Sequence, residues 1–357
     1  MRWRLHETCA KRMKIALVTS IVPFVQGGAR NIVYWLDSTL RDQGHETEII
    51  TLPFDESPEK IIPQMAAFRM IDLTDRADLV ICFRPPSYMV RHPRKVLWFI
   101  HHVRAYYDLW DTEYRGFADT EVSRARREVV TAADTRALKE ASMVFTNSCV
   151  VSERLLEYNG VHSEVLYPPL FDAQQFVNKK YGDEILLISR LEYHKRQHLL
   201  LEALAHCKTP VRLRLLGKGS TPAYADQLRR RADELGVADR LTFDDAWIDE
   251  AEKREILSCA LACAYLPVDE DSYGYPSLES AHAHKGILTT SDSGGVLEFV
   301  ENERSGLIVE STPQALAQAM DRLHSEPGLA QSLGDGAARR IEELNISWSH
   351  VVDRILA

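Results

Sequence analysis

Residues 261–279 read LACAYLPVDEDSYGYPSLE. An apolar run ends at Pro267 and three acids follow, Asp269, Glu270 and Asp271. Ser272-Tyr273-Gly274-Tyr275 come next, and Pro276 opens a helix where its missing N–H costs nothing. The pattern is strand, loop, helix. The loop's backbone N–H groups and the helix N-terminus form an end suited to a phosphate. A carboxylate beyond that end accepts hydrogen bonds from hydroxyls, so the stretch suits a sugar joined to a phosphate. Seven residues separate Asp271 from Glu279, which puts one carboxylate on the loop and the other in the first turns of the helix. Taken alone, a capping Asp271 and an exposed helical Glu279 account for the same letters equally well.

Working outward, the same alternation recurs along the chain. Strands are expected at 14–19, 45–52, 77–83, 96–101 and 143–146, with helices near 29–43, 119–140 and 150–158. The pattern pauses at Tyr167-Pro168-Pro169 and the polar stretch 172–183, then resumes with strands at 184–189, 211–216, 240–243, 261–266 and 286–290. Two helices are expected to close the chain after the last strand. Alternation of this kind argues α/β architecture with parallel, doubly wound sheets. The resulting organisation is an arm at 1–12, an N-terminal Rossmann-like domain at 13–168, a linker at 169–183, a second Rossmann-like domain at 184–345 and a closing helix at 346–357. Two such halves facing each other leave a cleft at the carboxyl ends of the strands.

Composition excludes other classes. The 357 residues carry 43 Lys+Arg against 52 Asp+Glu, a net charge of −9, so a globally basic nucleic-acid binder is not expected. No apolar run of about eighteen residues occurs, as a spanning helix would require. The first twelve residues are basic without an apolar core and read as a disordered arm or upstream-start artefact, not a secretory signal. The six cysteines are scattered, with no CxxC pair, as in a reducing compartment. A cytoplasmic protein is expected. Arg84, Arg91, Arg94, Lys95, Arg104, Arg115, Arg124, Arg126 and Arg127 form a local basic excess. It reads as a solvated face balanced by nearby acids, or as a dock for anionic lipid or a lipid-diphosphate acceptor, at the inner face of a membrane.

Four further stretches bear chemistry. In LLISRLEYHK, 186–195, a buried strand delivers Arg190 and then Lys195, two cations able to clamp a diphosphate, with Arg196 a third. Gly27-Gly28 follow the first strand and let backbone approach a phosphate or sugar. His101 and His102 end a strand, followed by Arg104, Tyr106, Tyr107 and Trp110, groups that suit an acceptor sugar or lipid but equally a packed core. Gly294 and Gly295, in SDSGGVLE, offer backbone donors after another strand. GxGxxG, GxxxxGK[ST] and HExxH are all absent.

In this order the stretches resemble the retaining GT-B glycosyltransferases of family 4, the group 1 glycosyltransferases. That family's ExFGxPxxE-type signature appears as DSYGYPSLE at 271–279, its GRLxxxKG as SRLEYHKR at 189–196, and its GGxxE as GGVLE at 294–298. The resemblance implies transfer of a hexose from a UDP- or GDP-sugar to a glycan or lipid-linked acceptor, in surface polysaccharide or glycoconjugate synthesis. The nucleotide sugar is a co-substrate, and no cofactor or metal is implied. By the same resemblance Arg190 and Lys195 hold the diphosphate and Glu279 the ribose. Asp271 meets the donor sugar, and Ser272–Tyr275 give backbone contacts. Gly27 and Gly28 line the acceptor and phosphate side, and His101 lies near the reacting centre. Two departures stand out. Asp271 replaces the usual Glu, and adjacent Glu270 is able to fill that position by a one-residue slip. Arg196 replaces the usual Gly. A nucleotide-sugar epimerase on the same scaffold, and a donor-binding protein without turnover, remain open alternatives.

Overall fold

The computed structural model describes residues 12–24, 27–219, 222–246 and 248–357. The expected arm, except Arg12, and Val25-Gln26 of the glycine loop lie outside the described residues.

The chain divides into two units. The first comprises residues up to Asn147, Val151–Leu166 and Val351–Ala357, and the second Ser148–Val150 and Tyr167–His350. The first begins β1 (Lys14–Ile21), α1 (Gly28–Asp42), β2 (Glu46–Pro53), α2 (Ile61–Arg69), β3 (Leu79–Cys82) and β4 (Lys95–Phe99). It continues α3 (Glu121–Leu138), β5 (Met143–Thr146), α4 (Cys149–Asn159) and β6 (Glu164–Val165). The second opens β7 (Glu184–Ile188), α5 (Gln197–His206), β8 (Arg212–Leu216), α6 (Pro222–Glu234), β9 (Leu241–Asp244), α7 (Glu250–Ser258) and β10 (Ala262–Ala264). It then runs α8 (Tyr275–His282), β11 (Ile287–Thr290), α9 (Val296–Phe299), β12 (Gly306–Val309), α10 (Pro313–Ser325), α11 (Leu329–Glu343) and α12 (Trp348–Leu356).

Each unit holds a six-stranded sheet in which all ladder pairs are parallel. The first has the order β2-β1-β3-β4-β5-β6 and the second β12-β11-β10-β7-β8-β9. Helices cover such sheets on both faces, which is why the inner strands read as unbroken apolar runs. LVIC of β3 and KVLWF of β4 are buried throughout. In the second sheet the order reverses between β7 and β10, and ligands of doubly wound folds bind outside the carboxyl ends of the strands at such a switch.

Several elements differ from the sequence reading. β12 (GLIV) was not expected, because four apolar residues read as well as helix or loop. The chain after β11 holds four helices, not two. The linker expected at 169–183 is built into the second unit. The N–H groups of Lys179 and Gly182 donate to the carbonyls of Ser258 (3.0 Å) and Cys259 (3.1 Å), and Tyr181 Oη donates to His284 O at 2.9 Å. In the closing helix, Arg354 pairs with Glu164 at 2.6 Å. The preceding Trp348 donates through Nε1 to Leu170 O at 3.0 Å. No described helix is long and apolar enough to cross a membrane.

Candidate nucleotide-sugar site

The loops after β7, β10 and β11 meet at the switch point of the second sheet. β7 ends and Arg190 emerges exposed, with no ion pair among the described residues. A single 3-10 turn, Tyr193–Lys195, carries Lys195 back into the structure, where it is 8% exposed. Its Nζ pairs with the Glu270 carboxylate and lies 3.2 Å from Tyr265 Oη, which itself donates to Glu270 at 3.2 Å. The loops are also joined through backbone, since Val268 N–H donates to His194 O at 2.9 Å.

Arg196 has φ +57°, a left-handed backbone that favours glycine and accounts for the glycine of the related pattern. Its guanidinium forks onto Asp292 at 2.6 and 2.7 Å. That pair, with Thr290 and Ser311, holds the Asp292 carboxyl down to about 2. Arg196 therefore staples β11 to α5 and does not add a free charge to the phosphate clamp, contrary to its reading as a third phosphate cation.

Gly274, at φ +70°, precedes α8. A Cβ there would lie 2.3 Å from the Tyr265 ring. Glycine is thus required twice over, by backbone sign and by space. Gly294 and Gly295 pack in the same manner. A Cβ on Gly294 would meet Glu270 backbone at 2.6 Å, and one on Gly295 would meet Ser272 at 2.7 Å. The Gly295 N–H, expected to be available to a ligand, donates instead to Glu270 O at 2.8 Å. Gly295 therefore presses the β11 loop against the β10 loop rather than offering that donor outward.

Glu279, one turn into α8, is buried, not an exposed helix residue. Burial pushes its carboxyl upward, opposed by Lys253 of α7, whose Nζ lies 2.7 Å from Oε1. Lys253 also reaches Glu250 at 2.9 Å. Nothing in the sequence pointed to Lys253, because its partner is 26 residues away. Asp271 is half-buried, and its backbone carbonyl accepts from Ser148 Oγ. Ser272 is half-buried on the same loop. Tyr273 turns its ring inward, 2% exposed, onto Tyr167 and Phe299. Glu298, the last residue of GGVLE, accepts from the N–H groups of Cys149 (2.8 Å) and Val150 (3.0 Å) and from Tyr167 Oη (2.9 Å).

In the first unit, Gly27 and Gly28 start α1. Gly27 is extended at φ 171°, and a Cβ on it would meet nothing within 4 Å. His101 follows β4, half-buried, with Nδ1 2.6 Å from His102 O. A carbonyl only accepts, so Nδ1 of the neutral ring carries the proton. His102 and Tyr106, expected at the acceptor side, are core residues. His102 is 3% exposed between Phe99 and Tyr107, bonds to Asn159 at 2.8 Å, and burial pushes its pKa down to about 4. Tyr106 is fully buried against Trp110 and Phe117. Direct contact with an acceptor is closed to both. Arg104 pairs with Asp108 at 2.6 Å. The basic excess also disperses. Lys95 is buried on three backbone carbonyls and Glu140, Arg124 pairs with Asp119, and Arg127 lies on the Trp110 ring.

Residues 171–340, which span these loops, match the family described as glycosyl transferases group 1. Alpha-maltose-1-phosphate synthase of Mycolicibacterium smegmatis is 26% identical over 82% of this chain and 81% of its own length. The human alpha-1,3/1,6-mannosyltransferase ALG2 is 22% identical over 78% of this chain and 72% of its own. Among solved structures, Anabaena HepE in complex with UDP and glucose superposes with a TM-score of 0.70 at 18% identity, covering 97% of this chain and 98% of that one. Sucrose-phosphate synthase from Thermosynechococcus elongatus gives 0.72 at 18% identity, over 96% and 97%. Over residues 171–340 the chain is similar to the group 1 glycosyltransferases, and its two parallel-sheet domains have the GT-B fold.

Proposed function

We propose that this protein is a retaining, metal-independent glycosyltransferase of family 4. It moves a hexose from a UDP- or GDP-sugar to a glycan or lipid-linked acceptor in surface polysaccharide or glycoconjugate synthesis, at or near the inner face of a membrane. The observation that carries the reading is that the β7 loop bearing Arg190 and Lys195 lies beside the β10 loop and its Gly274 turn at the switch point of the second sheet, with Lys195 Nζ 3.2 Å from Tyr265 Oη and Gly274 packed on the Tyr265 ring. Arg190 forks onto the diphosphate and Lys195 adds a point charge, so two cations neutralise the leaving group in the role a metal plays elsewhere. Glu279 accepts from the ribose hydroxyls, and Asp271 from the donor sugar. The C1–O bond to the diphosphate breaks with its electron pair on the phosphate oxygen. The acceptor oxygen bonds C1 from the same face, and its proton passes to the departing phosphate. Gly27, Gly28 and His101 serve the acceptor side.

The test is incubation with UDP- and GDP-hexoses in the presence of a chelator, following nucleoside diphosphate release and the anomeric signal by NMR. Stabilisation by one nucleotide in a thermal-shift panel and an α-linked product from an α-donor are expected. Failure of every UDP and GDP species both to bind and to turn over would sink the reading.

A further inference from the structure

The cations grouped at the switch point are not equally available. Arg196 is matched by Asp292 and Lys195 by Glu270, while Arg190 stands exposed without an ion pair among the described residues. The match at Lys195 is built, not incidental. Tyr265, fully within the core at 5% exposure, places its hydroxyl 3.2 Å from both Nζ and the Glu270 carboxylate. The Lys195 ammonium also lies 5.3 Å from the Tyr265 ring centre. Glu270 is fixed in turn by its backbone, since its carbonyl accepts from Gly295 N–H and Gly294 presses on it closely enough to exclude a Cβ.

We propose that Glu270 is a positioning residue that acts as an internal counter-ion to Lys195, competing with the bound diphosphate and favouring departure of the nucleoside diphosphate after transfer. The inference rests on Arg190 and Lys195 being the diphosphate site. A sugar nucleotide carries one negative charge on each phosphate. Loss of the sugar frees a terminal phosphate oxygen and adds charge near neutral pH. The product is therefore held more tightly than the donor by an uncompensated lysine. A carboxylate on that lysine lowers affinity for both, and for the product most.

The experiment compares wild type, Glu270→Gln, Glu270→Ala, Lys195→Met and the Glu270→Gln/Lys195→Met double variant. It reads product inhibition by UDP and GDP, donor KM, kcat and melting temperature. Glu270→Gln keeps the shape and an acceptor for Tyr265. It is expected to tighten the nucleoside diphosphate about tenfold and lower donor KM about threefold, with kcat falling as release slows. Glu270→Ala should move the same way, and in the Lys195→Met background the change should vanish. If Glu270 merely props Lys195 in place, both Glu270 variants weaken nucleotide binding, and that result overturns the inference. Unchanged affinities in Glu270→Gln and Glu270→Ala, with Lys195→Met still weakening UDP or GDP, overturn it while leaving the diphosphate site intact. If wild type and Lys195→Met bind both nucleotides equally, the diphosphate site falls, and the counter-ion role with it.

Discussion

The two units treat their candidate residues differently. In the second, the residues drawn from motifs converge on one place. The loops after β7, β10 and β11 lie side by side, and their charges meet partners from other loops or helices, Lys195 with Glu270 and Glu279 with Lys253. In the first, the residues drawn from an aromatic and basic stretch scatter. His102, Tyr106 and Lys95 enter the core, and Arg104 and Arg124 pair with acids four and five residues away. Ordered motifs carry the spacing that a strand–loop–helix unit imposes, so they locate a site. Composition carries no such spacing, because aromatic residues and the stems of basic ones serve a core as readily as a ligand.

Breaking the second unit should cost function first. Glu279→Ala should lower kcat/KM at least about 100-fold, because it removes the proposed ribose acceptor and leaves Lys253 with Glu250 as its carboxylate partner among the described residues. Glu279→Gln, which keeps an acceptor for Lys253, should retain the melting temperature while still losing transfer. Equal activity of Glu279→Gln and wild type would remove Glu279 from the site. In the first unit, by contrast, His102→Ala should cost about 2–3 kcal/mol in a denaturant titration through lost packing and loss of the hydrogen bond to Asn159 Oδ1. Turnover of the folded fraction should change little. A large loss of kcat at unchanged stability would return His102 to the acceptor side.

A subtler contrast lies in pH. Asp134 is buried under Tyr107, which donates at 2.7 Å, and burial pushes its carboxyl up to about 7. The folded state therefore binds a proton that the unfolded state has lost above about pH 4. Stability from this group is present at low pH and falls as pH rises toward 7. Asp134→Asn should flatten that fall between pH 5 and 8 in a melting series. An unchanged slope would show that Asp134 stays ionised. The smallest effect is expected at Arg196→Gly. Glycine suits the left-handed backbone, and the lost pair with Asp292 is partly exposed, so donor KM should shift by less than about threefold. A tenfold rise would restore Arg196 to the phosphate clamp.

Much of the fold was legible in the letters. β1, β3, β4 and β7 are continuous apolar runs because helices cover both faces of a parallel sheet, and Gly44 and Gly160 mark the ends of α1 and α4. What escaped was short or relational. β12 is four residues and β6 two, too little for a period to register. The polar stretch 172–183 lacked any periodic pattern, yet its backbone groups bond to Ser258 and Cys259. In the candidate site, Arg190, Lys195, Gly274 and Glu279 stood out because they fall at fixed offsets in strand–loop–helix motifs that resemble those of a known family. Lys253 and Tyr265 were not, because each matters only through a partner on another element.

The sequence by itself determined a two-domain parallel α/β chain with acidic balance and, in its second half, motifs that resemble those of the group 1 glycosyltransferases. Those properties follow from local periodicity and from chemistry packed into short stretches. Only the tertiary structure decided which charges are matched. It set Glu270 on Lys195, Asp292 on Arg196 and Lys253 on Glu279, and it placed Arg190 in the open. The physical reason is that an ion pair is a property of distance and burial. Both are set by sheet order and loop packing, which bring together residues 26 to 96 positions apart.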